Sequence, residues 1–136
     1  MRHQRSTVVV LATAILALSG CSGGHGGKGA LEDAVRARSH AYYKGDLKAY
    51  RARESQRCLE VGSLEVLVRG MAADGRKYGD PAITSLSVDT ISGDHATVSY
   101  GYGRPELDQK QQPWVREKGH WVDDDCNGEA GAAGGS

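Results

Sequence analysis

The spacing of apolar residues changes once along the chain, from a helical period to a period of two. Leu31, Ala34, Val35, Ala41 and Tyr42 fall mostly on one face of a predicted helix. The triplet Lys44-Gly45-Asp46 then supplies a glycine stop and an aspartate suited to capping the next helix. That second helix is predicted over 47–59, with Leu47, Tyr50, Cys58 and Leu59 inward and its arginines in water. Ser63 is placed to cap a third, in which Leu64, Leu67, Val68 and Met71 recur at i, i+3, i+4 and i+7, and the breaker cluster DGRKYGDP over 74–81 ends it.

Beyond Pro81, Leu86 and Val88 share one strand face and Ser85, Ser87 and Asp89 the other. After the turn SGDH, Ala96, Val98, Tyr100 and Tyr102 alternate with Thr97, Ser99 and Gly101, which predicts a hairpin with one dry face. A polar loop is expected over 104–113, and WVREKGHWVDDDC reads as two short strands about a turn at Lys118 and Gly119. Residues 127–136 have nothing to bury and are expected to be disordered. Helices followed by an antiparallel meander give the class α+β.

Ahead of this region, Arg2, His3 and Arg5 precede an apolar run over 8–18, the length of a signal-peptide h-region. A membrane-spanning helix needs about 20 residues. The run ends in Leu18-Ser19-Gly20-Cys21, which resembles the lipobox of bacterial lipoprotein signal peptides. The resemblance implies cleavage before Cys21 and lipidation of its thiol, so that residues 1–20 are removed and the protein is exported and held on the extracytoplasmic face of the cell membrane. Two or three acyl chains hold a protein stably, each buried methylene adding about 0.8 kcal/mol. Residues 21–29 then read as the lipidated cysteine and a glycine-rich tether, 30–126 as the folded domain. GGHGGKGA lacks the Ser or Thr that a phosphate-binding loop needs after its lysine.

With Cys21 lipidated, Cys58 and Cys126 remain as an even pair outside the cytosol, where thiols oxidise. They are expected to form a disulfide that staples helices to sheet, worth at most about 4 kcal/mol on the chain-entropy model. Redox dithiols usually sit as Cys-x-x-Cys and zinc wants four ligands, and neither pattern is present.

Composition narrows the partners. A chain of 136 residues with 17 Lys+Arg against 17 Asp+Glu fits one domain with no strong field for nucleic acid. It has 19 glycines and no phenylalanine, so its core is modest.

Three helices before a meander resemble the nuclear transport factor 2-like, or SnoaL-like, domains, in which helices pack into the concave face of a curved sheet in a cone, a cystatin-like architecture. AITSLSVDTISGDHATVSYGYG and PWVREKGHWVDDDC carry the resemblance, which covers about 30–126. It implies either a non-catalytic binding or interaction domain or an isomerase-, dehydratase- or cyclase-like enzyme with a pocket between helices and sheet.

Acid–base candidates are His40, Tyr42, Tyr43, Tyr50, Asp89, Tyr100, Tyr102 and His120, yet no histidines form a recognisable pair and Asp89 sits opposite the dry face. The binding reading is preferred, without cofactor and without a catalytic residue. Tyr42, Tyr100, Tyr102 and Trp121 are its candidate ligand contacts; the expected partner is a small apolar ligand or a neighbouring envelope protein on the sheet's outer face. Asp123, Asp125, Asn127 and Gly128 match the first half of a calcium loop, but Gly134 stands where the bidentate glutamate belongs. They are read as a solvated strand end with no metal.

Overall fold

The computed structural model describes residues 27–126. The proposed signal peptide, Cys21, most of the tether, and Asn127, Gly128 and the tail lie outside them. Among the described residues, helices α1 (Lys28–Lys44), α2 (Leu47–Arg51), α3 (Gln56–Val61) and α4 (Leu64–Tyr78) precede strands β1 (Ser85–Ser92), β2 (His95–Gly101), β3 (Gln109–Glu117) and β4 (His120–Asp123). The strands form one antiparallel sheet in the order β1-β2-β3-β4, so the fold is α+β. No helix among these residues is long and apolar enough to cross a membrane.

Helix α1 begins at Lys28, earlier than its apolar face implies, with the Leu31 amide bonded to Gly27 O and Lys28 paired to Glu32 one turn on. It ends where Gly45 takes a φ of +70°, and the Asp46 carboxylate caps α2 by accepting from the Ala49 amide. Leu31, Ala34 and Val35 pack with Ala96, Val98, Tyr100, Trp114 and Trp121 as the main core, with Leu86 and Val88 against it.

Three sequence expectations give way to tertiary contacts. The helix expected over 47–59 is two short helices, because residues 53–55 run beside β4: the Ser55 amide donates to Asp123 O and the Asp123 amide to Arg53 O. This segment covers the free edge of β4, and Ser55 then caps α3 through the Cys58 amide. The loop expected over 104–113 becomes strand in its second half, since β3 starts at Gln109 and Thr97 lies opposite Pro113, after a 3-10 turn at Pro105–Leu107. Its glutamines give no apolar period before Trp114. In α4 only Leu67 and Met71 are buried; Leu64 and Val68 are 48% and 46% exposed, because α4 packs on α1 and, among the described residues, has no layer over its far side.

That packing is close. A Cβ on Gly75 would lie 2.8 Å from the Tyr43 carbonyl oxygen, so glycine sets how near α4 comes to α1. On the sheet side, β2 faces a bulge in each neighbour, at Asp89 of β1 opposite Thr97 and Val98 and at Gln111 of β3 opposite Ser99, where the Gln111 φ is +49°. The Ser99 hydroxyl joins the two bulges, donating to the Asp89 carboxylate and accepting from the Gln111 amide. Bulges bend a strand and raise its twist; here they precede the stretch that carries Tyr100 and Tyr102.

Candidate functional site

Between α1, α2, α4 and the β2–β3 connection lies a cleft of about 430 Å³, inside the range of about 300–1,000 Å³ usual for small-molecule sites. All six tyrosines of the chain line it: Tyr42, Tyr43, Tyr50, Tyr78, Tyr100 and Tyr102. Their rings form one continuous set of contacts. Tyr42 meets Tyr43 and Tyr50, Tyr43 meets Tyr78 and Tyr102, and Tyr102 meets Tyr100, with centroids 5.2–6.5 Å apart and mostly edge to face.

The hydroxyls divide into engaged and open. Tyr42 donates to Asp74 at 2.7 Å, Tyr50 accepts from Arg38 at 2.6 Å, and Tyr102 shares a 2.7 Å bond with Ser39. Tyr43 and Tyr100 make no hydrogen bond through their hydroxyls among the described residues, and Tyr100 is only 7% exposed. Burial first, then neighbouring acidic groups, pushes the Tyr43 phenol far above its ordinary value. Burial does the same at Tyr100 against the pull of Arg38, and at Tyr102 against the Ser39 bond. A phenol is neutral at physiological pH in any case, and these three hold their protons more firmly still.

Carboxylates border this aromatic lining: Asp74, Glu106, Asp108 and Asp125. Asp108 reaches its place because residue 101 is glycine; a Cβ there would stand 2.5 Å from Asp108 Oδ1. Among the described residues the one cation in the lining is Arg38. Its Nε donates to Glu54 Oε1 at 2.5 Å, its Nη2 lies 3.4 Å from Asp123 Oδ1, and its guanidinium stacks 4.5 Å from the Tyr50 centroid. Burial works against its charge, but Asp123, Tyr50 and Glu54 outweigh that and hold its pKa well above the ordinary value. Arg38 thus joins helices to sheet at the cleft floor, its charge already met.

Below this network Cys58 and Cys126 are joined by a disulfide, linking α3 to the segment after β4. Asp124 beside it accepts from Ser55 Oγ at 2.6 Å and from Arg57 Nε at 3.2 Å. Burial raises the Asp124 pKa, yet these bonds prevail and hold it below the usual carboxylate value.

Of the candidate ligand contacts, Tyr42, Tyr100 and Tyr102 come together in the cleft, and Trp121 does not. Trp121 is 2% exposed in the main core, with Arg116 over its ring at 4.7 Å. His40 lies outside the cleft on Asp80 at 2.8 Å, Asp89 accepts from Ser99, and His120 is exposed at the β3–β4 turn. The solvated strand end expected at 123–128 is corrected at its start: Asp123 is 1% exposed on Arg38, and Asp125 lines the cleft.

Arg38, Glu54, Asp74, Glu106 and Asp108 escaped the sequence reading, and Asp125 entered it only as part of a half calcium loop. For Arg38 a signal existed, since it stands four residues after Ala34 and seven after Leu31, a charge on the apolar stripe. Glu54 and Asp108 carry none.

Comparison of the chain with protein-family models, with curated proteins and with solved structures finds no match.

Proposed function

We propose that the chain is an exported lipoprotein, anchored in the cell membrane through Cys21, whose cone-shaped domain of the nuclear transport factor 2-like type binds a small molecule without transforming it. The observation that carries the binding reading is the convergence of every tyrosine on one cleft, two of them with open hydroxyls. Rings that merely filled the core would leave no such volume. The anchor rests on the Leu18-Ser19-Gly20-Cys21 sequence and the export that it implies; a disulfide between Cys58 and Cys126 fits an oxidising compartment.

An isomerase- or dehydratase-like reaction needs an acid and a base that exchange protons near neutral pH. Among the described residues no histidine lines the cleft. The donors of Arg38 point to Glu54, Tyr50 and Asp123, and the raised phenols of Tyr43, Tyr100 and Tyr102 hold their protons too firmly for that work. These features favour holding a ligand over transforming one.

A structure of the protein purified from its native membrane tests both halves together with its intact mass. The expected result is a chain beginning at diacylglyceryl-modified Cys21 and density in the tyrosine cleft. An unprocessed first residue overturns the anchor; a cleft holding only water overturns the binding.

A further inference from the structure

Resting on the binding reading above, we propose that the occupant of the cleft is an organic cation, a small alkylammonium ion held by tyrosine faces and by the bordering carboxylates.

The charge of the lining points this way first. Among the described residues, Asp74, Glu106, Asp108 and Asp125 face a cleft whose one cation, Arg38, is committed to Glu54 and Asp123. An anionic ligand would meet four carboxylates, and Lys77 over the Tyr78 ring already answers Glu106 and Asp74, whereas a cation meets complementary charge at Asp108 and Asp125.

The rings give the second, independent observation. Protein cations already lie over two of them: Arg38 over Tyr50 at 4.5 Å, and Lys77 at 4.8 Å and Arg104 at 5.8 Å over Tyr78. Aromatic faces attract cations through the ring quadrupole, most strongly where water is excluded.

The open hydroxyls are the third. Tyr43 and Tyr100 carry neutral phenols, kept protonated by burial, whose oxygens have no hydrogen-bond partner among the described residues. Tyr100, more than nine-tenths buried, lines the cleft with its hydroxyl open to an occupant. A neutral sugar would use the same hydroxyls but gain nothing from the carboxylates.

The test is calorimetric titration of the full-chain protein with choline chloride, with its uncharged analogue in which carbon replaces nitrogen, and with trehalose, while the ring resonances of Tyr43 and Tyr100 are followed. Choline is expected to bind at least about tenfold more tightly than the analogue and to shift both rings. In the Asp74→Asn, Asp108→Asn double variant its affinity is expected to fall by about tenfold with the unfolding midpoint unchanged. Equal affinity for choline and its analogue overturns the cation assignment. Trehalose binding alone, with the Tyr100 shift, also overturns it but leaves small-molecule binding in place. Silence from all three probes at millimolar concentration overturns it too, and an empty cleft in the native-membrane protein then removes the binding reading separately.

Discussion

Arg38 on α1 and Asp123 at the end of β4 meet with Nη2 3.4 Å from Oδ1, their side chains 14% and 1% exposed. Glu54 approaches the same guanidinium from the segment that breaks the helical run before α3. One cation therefore ties together α1, the interrupted helix and the sheet edge, and it does so at the floor of the cleft.

Removing that cation strands two buried carboxylates. Arg38→Met is expected to cost about 3–5 kcal/mol in chemical denaturation. Arg38→Lys is expected to recover little, because an ammonium lacks the fork that reaches Glu54 and Tyr50 together. A loss below about 1 kcal/mol, the value of an exposed pair, would contradict a structural role for the network.

The disulfide spans a sequence separation of 68 residues. Cys58→Ser with Cys126→Ser is expected to lower stability by up to about 4 kcal/mol, read as a lower denaturation midpoint that reducing agent does not change further. Wild-type protein in reducing agent should approach the same midpoint.

How much of this was legible follows the range of the contacts. Gly45 and Asp46 act within a few residues, and the turn at Gly93 and Asp94 joins directly paired strands, so local pattern reveals both. The break before α3 depends on a segment far along the chain; Ser55 and Asp124 are 69 positions apart. The cleft has the same origin: its tyrosines come from α1, α2, α4 and the end of β2, and each alone looks like an ordinary core residue. Tyr42, Tyr100 and Tyr102 are nonetheless named by the pattern, while Arg38, a charge on an apolar stripe, is passed over.

Stability should fall at both ends of the pH scale. Asp124 has a folded-state pKa below its ordinary value, so its contribution is present above the unfolded carboxylate range and is lost as pH falls through the folded value. Arg57→Gln is expected to shrink that acid-side loss. Tyr43, Tyr100 and Tyr102 have raised values, so their contribution is complete below the ordinary phenol range of about 10 and declines as pH rises toward the folded values. Phenolate absorbance should show Tyr43 and Tyr100 ionising far above the ordinary phenol range and Tyr102 also above it.

Alanine normally stabilises a helix relative to glycine by about 1 kcal/mol. At Gly75 the sign is expected to reverse, with Gly75→Ala costing about 1–3 kcal/mol, because the added carbon meets the rigid Tyr43 carbonyl. The same change at Gly79, where nothing lies within 4 Å but φ is +73°, tests backbone strain alone. Denaturation midpoints of the two variants separate the effects.

Occupancy of the tyrosine cleft is read most directly at Gly70. Gly70 lines it, and a Cβ there meets only the Tyr42 hydroxyl, at 3.1 Å, so Gly70→Leu should project into the cleft. Native mass spectrometry of the protein from its own membrane should find a non-covalent small-molecule adduct on the wild type and none on Gly70→Leu, with cooperative unfolding showing that the variant is folded. Wild-type protein without an adduct, or an adduct that persists in the variant, would contradict that occupancy.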